Sequence, residues 1–166
     1  MPSGAGGGRA VRAQRVAMLL LAMVVFAIDR ILKIWVSTHM VPEQSIAVAP
    51  PVLWITYITN SGAAFSLFQH GTLLFIIVGL IILTGLVWYV AKASSVSTRF
   101  TIGAGLLGGG TSGNLWDRIV AGRVVDFIHF RYFAIFNIAD AAIVAGIILV
   151  VWDFWRKDHE GESQGS

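Results

Sequence analysis

Residues 71–91 read GTLLFIIVGLIILTGLVWYVA and contain no charged side chain. Wound as a helix, a stretch of that length crosses about 30 Å of hydrocarbon. Three more apolar stretches of similar length can be drawn, over about 16–38, 99–118 and 136–155. The third holds Gly103, Gly105, Gly108, Gly109, Gly110 and Gly113, and small residues let membrane helices approach closely. Close helix packing is therefore the better reading there than a flexible loop. Hydrophobic residues make up 56% of the 166, above the roughly 45–50% of soluble domains. The fold expected is an all-α membrane protein, a bundle of four transmembrane helices.

Charge sets the expected direction of the spans. Arg9, Arg12 and Arg15 precede the first, Lys92 and Arg99 separate the second from the third, and Arg156 and Lys157 follow the fourth. The 39–70 connection has neither Lys nor Arg. Both termini are expected in the cytoplasm. Arg118, Arg123 and Arg131 fall in a connection that this topology places outside; beside carboxylates they read as paired site residues rather than topology signals. The net charge of +3 has no clustered basic face, so no nucleic-acid partner is expected. The absence of cysteine excludes disulfides, thiolate metal sites and cysteine nucleophiles.

The basic start and first apolar run raise the alternative of a cleaved signal peptide. The AVA at 47–49 lies too far beyond that run, behind Asp29, Arg30 and Lys33, to serve as its cleavage site. The glycine-rich start reads as a disordered tail over 1–15, with a second cytoplasmic tail over 156–166 and a single membrane-embedded domain over 16–155. The segments SIAVAPPVLWITYIT and VVDFIHFRY are rich in β-branched and aromatic residues. Both sit in connections expected outside, so a small β-sheet cradle on the outer face is expected.

Depth along each span follows from 1.5 Å per helical residue. Asp29 lies about 21 Å beyond Arg15, Asn114 about 22 Å beyond Arg99, and Asp140 about 24 Å before Arg156. Three spans thus carry polar residues at one level toward the outer leaflet. Asp117 and Arg118 follow one turn above Asn114, and Asp126 enters from the adjoining connection. Ionisable residues at membrane depth are costly and mark function by default.

Two carboxylates close together in a low-dielectric site do not both ionise readily, so one keeps a proton. Such a dyad supplies a base for water and an acid for the carbonyl under attack. It cleaves amides without a covalent intermediate. The bland alternative is that Asp126 and Asp140 form ion pairs with Arg118, Arg123 or Arg131. The GTSG at 110–113 matches an intramembrane serine-protease pattern, yet His39, His70, His129 and His159 all fall outside the spans. A serine–lysine dyad on Lys33 competes with Asp29, its natural partner at i−4. No H-E-x-x-H occurs, and neither metal nor cofactor is expected. Asn60 also reads as a simple turn residue before Gly62. Other classes compatible with buried carboxylates are a small ion- or proton-coupled transporter and a non-catalytic scaffold; no inverted repeat supports the former.

Five blocks together resemble the bacterial lipoprotein signal peptidases (signal peptidase II). They are DRILK at 29–33, NSGAAFSLF at 60–68, GGGTSGNLWDR at 108–118, GRVVDFIHF at 122–130 and FNIADAAI at 136–143. The resemblance implies an aspartic endopeptidase of the bacterial inner membrane, with Asp126 and Asp140 as the catalytic dyad. It implies that Asn60, Asn114, Arg118 and Asn137 line the site and hold the substrate backbone. Asp29, Lys33 and Asp117 are implied as supporting polar residues. The implied substrate is a diacylglyceryl-modified prolipoprotein, cut before its lipidated cysteine by a monomeric enzyme in contact with membrane lipid. Arg30, Ala134 and Ala141 depart from the common pattern, where glutamine, proline and serine are frequent. None of the three removes a catalytic group.

Overall fold

The computed structural model describes residues 4–62 and 71–162, with side chains over 8–62 and 71–160. Four helices and three strands follow in the order α1 (Gly4–His39), β1 (Ser45–Ala49), β2 (Leu53–Asn60), α2 (Gly71–Lys92), α3 (Thr98–Ala121), β3 (Val124–Phe130) and α4 (Ile138–Glu162). Both β-rich connections form strands, and the three strands make one antiparallel sheet in the order β1-β2-β3. In the β2–β3 register Asn60 lies opposite Val124, and Ile58 opposite Asp126. A bulge between Ile55 and Ile58 shifts that register; bulges of this kind re-aim side chains near sites.

Helices α2 and α4 are each long and apolar enough to cross a membrane. Their large side chains, among them Leu74, Ile77, Ile81, Ile148 and Val151, face outward, as a helix in lipid requires. Helices α1 and α3 carry most of the buried polar residues. Helix α3 packs against all three other helices. Its glycines permit this. A Cβ on Gly109 would stand 2.5 Å from the Ala22 carbonyl oxygen of α1, and one on Gly110 would run into the Ala139 carbonyl oxygen of α4. One helix face thus meets two neighbours backbone to backbone.

Each end of α3 is capped by its own sequence. Ser97 accepts from the Phe100 N–H at 3.0 Å, filling one of the open donors of the first turn. Gly122 takes a left-handed conformation, φ 70°, and returns its N–H to the Arg118 carbonyl, a helix stop that glycine adopts without a Cβ penalty. Two apolar clusters flank the polar interior. One gathers Val90, Val96, Phe100 and Ala104; the other joins Val36 and Met40 of α1 to Phe127 of the sheet.

Several element boundaries differ from the sequence expectation, among them the end of α3, at Ala121 rather than near Arg118. Helix α1 begins at Gly4 rather than near Val16. The stretch Ala10–Arg15 is made of good helix formers, and the Arg15 guanidinium binds the Ala91 and Ala93 carbonyls at the end of α2. The residues expected as a tail are therefore helical from Gly4, leaving 1–3 outside the described residues. Helix α4 continues to Glu162, supported by the i,i+4 pairs Asp153–Lys157 and Arg156–Glu160. It starts at Ile138 rather than 136 because Asn137 caps it.

Gly110→Leu is expected to destabilise the purified protein by more than the roughly 1–3 kcal/mol typical of overpacking, read as a sharp fall in its thermal midpoint, because its nearest neighbour is backbone. Gly85, with nothing within 4 Å of its Cβ position, serves as the contrast. Gly85→Ala should leave the midpoint unchanged or raise it.

Candidate active site

Lys33 is 1% exposed. Its ammonium lies 2.7 Å from Asp29 Oδ2, 2.7 Å from Asp117 Oδ2 and 2.9 Å from Asn114 Oδ1. Three protons meet three acceptors, which is what a buried ammonium requires. The pair with Asp29 is the i,i+4 pair expected from sequence. Asp117 also pairs with Arg30 Nη1, a partnership the sequence reading missed. Asp29 reaches farther than expected too: its Oδ1 accepts from the Ala139 N–H at 3.0 Å, filling an open donor in the first turn of α4.

The Asn114 amide is oriented by these contacts. Its oxygen accepts from Lys33 and from Asn137 Nδ2 at 3.2 Å, so its NH2 must face away. That NH2 donates to Asp140 Oδ1 at 2.7 Å. Asn137 then joins the two carboxylates. Its Nδ2 donates to Asp126 Oδ1 at 2.7 Å, and its backbone N–H donates to Asp140 Oδ2 at 3.2 Å. In return Asn137 Oδ1 accepts from the Asp140 N–H at 2.9 Å. Asn137 and Asp140 thus form a reciprocal capping box at the start of α4. The N-x-x-D spacing ahead of an apolar run is its signature in the sequence.

Asn60, at the end of β2, completes the set. Its Oδ1 accepts from the Gly62 N–H at 2.7 Å, the turn role read from sequence, while its Nδ2 donates to Asp126 Oδ2 at 3.2 Å. Of the block 60–68, residues 63–68 lie outside the described residues. Arg118 is half-buried. It donates to the Asn114 carbonyl at 3.4 Å and lies 4.6 Å from the centre of the Phe75 ring. All nine polar residues singled out in the sequence thus lie in one connected network of hydrogen bonds and ion pairs. Among the described residues, no ion pair involves Asp126 or Asp140. Lys33 has all its protons engaged and is not available to a serine nucleophile.

Asp126 is 2% exposed. Burial, and next the Asp140 charge, push its carboxyl up to about 6 against the donors on Asn60 and Asn137. A carboxyl that holds its proton more tightly than usual thus lies beside a second carboxyl held by donors at a helix N-terminus.

The sequence-family model described as signal peptidase (SPase) II matches residues 21–156. The chain belongs to the signal peptidase II family. The family is one of aspartic peptidases, which leaves the transporter and scaffold readings without support. The lipoprotein signal peptidase of Pelotomaculum thermopropionicum is 41% identical over 135 residues, 81% of this chain and 89% of the relative. That of Halothermothrix orenii is 34% identical over 143 residues, 86% and 98% of the two chains. A bacterial membrane enzyme solved by the in meso method superposes with a TM-score of 0.78 at 33% identity, over 85% of this chain and 88% of that one. Membership thus extends over sequence and fold alike.

The folded pKa of Asp126, about 6, exceeds the ordinary value of 3.8, so the folded protein holds this proton more tightly than the unfolded chain. The stability from this group is fully present below about pH 4 and is lost as pH rises toward 6. Asp126→Asn should remove that slope. The midpoint difference between Asp126→Asn and wild type is expected to grow in the variant's favour across this window; a difference independent of pH would contradict the assignment.

Proposed function

We propose that this protein removes the signal peptide from diacylglyceryl-modified prolipoproteins, cutting the peptide bond before the lipidated cysteine. The observation that carries the mechanism is the single asparagine, Asn137, that donates to both Asp126 and Asp140. Asp140 is the base. Its two oxygens accept from Asn114 and from the Asn137 N–H. Asp126, whose proton burial holds more tightly than usual, is the acid.

Asp140 takes a proton from water as the water oxygen adds to the scissile carbonyl carbon. Asp126 donates its hydrogen to the carbonyl oxygen, on which charge develops. Collapse of the tetrahedral species breaks the C–N bond, and the nitrogen leaves with a proton returned by the dyad. No covalent enzyme intermediate forms. Arg118 stays protonated throughout and acts by position, its planar fork facing substrate carbonyls. Asn60, Asn114 and Asn137 hold the carboxylates and the substrate backbone. Asp29, Lys33 and Asp117 hold the asparagines.

The enzyme is read as a monomer in the bacterial inner membrane, in contact with membrane lipid, its peptidase domain spanning 16–155. All four helices cross, with both termini cytoplasmic and the sheet on the outer face. Helix α1, at 36 residues, is about 54 Å long and extends beyond the hydrocarbon. This topology brings the carboxylates to the outer leaflet, where the end of a signal peptide would arrive. Support comes from the arginine and lysine distribution and from the common depth of Asp29, Asn114 and Asp140.

Asp126→Asn and Asp140→Asn should each abolish cleavage of a lipidated precursor by the purified protein, by at least about a thousandfold, while the folded protein remains extractable from membranes. Asn keeps the size and most hydrogen bonds of Asp but cannot exchange the proton. Cleavage by either variant at the wild-type rate would sink the dyad. A reporter fused after Arg156 is expected to read as cytoplasmic and one inserted near Gln44 as external; the reverse pattern would overturn the topology.

A further inference from the structure

Helix α2 packs chiefly against α3, yet its first turn also holds the turn that follows β2. The β2–β3 ladder ends at the pair Asn60 and Val124, and the carbonyls of Ser61 and Gly122 lie just beyond it. The Thr72 hydroxyl, in the first turn of α2, donates to both, at 3.0 Å each, one proton shared in a three-centre bond. The Ser61 carbonyl and the Gly62 N–H belong to one planar peptide unit. That N–H donates to Asn60 Oδ1 at 2.7 Å. Holding the carbonyl therefore fixes where the N–H points, and with it the Asn60 amide. The other end of that amide donates to Asp126 Oδ2 at 3.2 Å. This bond sits at the upper limit of the N–H···O range, whereas Asn137 reaches Asp126 Oδ1 at 2.7 Å. A displacement of a few tenths of an ångström breaks the first and spares the second. Packing supports the same turn: a Cβ on Gly62, whose φ is 81°, would stand 2.6 Å from the Phe75 ring, and one on Gly71 3.1 Å from the Gly62 carbonyl oxygen.

We propose that Thr72 is a positioning residue for peptide-bond cleavage, which holds the Ser61–Gly62 peptide unit and so keeps the Asn60 amide on Asp126. The proposal rests on the dyad reading above and deepens it, since Thr72 acts through Asn60 rather than on the reacting atoms. The Asn60 donor favours the ionised form of Asp126, against burial and the Asp140 charge, which push this carboxyl up to about 6. Loosening that donor raises it further. The other charged groups that face Asp126 are Asp140 on α4, Lys33 on α1 and Arg118 on α3. The Thr72 hydroxyl bonds none of them, so a shift in this titration reports Asn60. As the acid, Asp126 is active while protonated, and its deprotonation sets the alkaline limb of the rate profile.

The test uses purified protein and a lipidated precursor. Thr72→Val keeps the shape of the side chain and removes the hydroxyl. It should lower kcat/KM about three- to tenfold and move the alkaline limb up by about half to one pH unit. Thr72→Ser should restore both. Asn60→Ala should move the limb the same way, and Thr72→Val added to it should bring little further loss, because both act through one bond. The infrared carbonyl band of protonated Asp126, identified by its absence in Asp126→Asn, titrates independently of turnover and should move upward in Thr72→Val alike. Lost activity with that titration unmoved, losses that multiply in the double variant, or an unimpaired Thr72→Val would overturn the proposal. Should Thr72→Val fold poorly, Thr72→Ala enters the same comparison, since a titration midpoint is independent of the amount of folded protein. Failure of the wild type to cut the precursor would instead reject the peptidase reading, and the infrared titration would still decide the role of Thr72.

Discussion

The three-way pairing of Lys33 is the interaction on which the rest of the polar interior depends. An ammonium 1% exposed would be prohibitively costly without acceptors for each proton. Asp29, Asp117 and Asn114 supply them. The consequence reaches the carboxylates because an asparagine amide has two distinguishable ends. With Lys33 on its oxygen, Asn114 has only one orientation in which every group is satisfied, and that orientation presents its NH2 to Asp140. A lysine buried a helix away thereby fixes the direction of a hydrogen bond in the site. Removing one member leaves the others as unpaired buried groups, so the cluster is expected to behave as a unit.

Charge within this cluster is nearly balanced, and Arg30 is part of the balance. Lys33 alone faces two carboxylates, Asp29 and Asp117; Arg30 pairs with the second. The region beneath the dyad is then close to neutral. Arg30 thus belongs to the electrostatic frame of the site even though it touches neither aspartate of the dyad.

Much of this arrangement was legible in the sequence, for definite physical reasons. The hydrophobic stretches located the helices because lipid demands long apolar runs. Depth arithmetic from the flanking arginines brought Asp29, Asn114 and Asp140 to one level, because helical rise is fixed. The i,i+4 spacing announced the Lys33–Asp29 pair. What escaped was tertiary. No local pattern says that Arg30 meets Asp117, 87 positions away, or that Asp29 fills a donor at the start of α4. The start of α1 was missed because glycines suggested a tail, while the helix formers of 10–15 and the hold of Arg15 on α2 extended the helix. The capping box of Asn137 and Asp140 was visible as N-x-x-D but was masked by reading the helix from Phe136.

Helix α3 combines the central position with a poor apolar signal: glycines at its contacts, and Asn114, Asp117 and Arg118 near one end. Alone in a bilayer, such a segment would expose backbone and polar groups to lipid, whereas α2 and α4 are apolar enough to remain there unaided. In a four-span topology its residence in the membrane is therefore conditional on its neighbours. During biogenesis the segment bearing a third of the polar site would be retained through assembly rather than through its own partitioning. Failure of the bundle to assemble would then expel the site's own scaffold, tying the appearance of activity to completed packing.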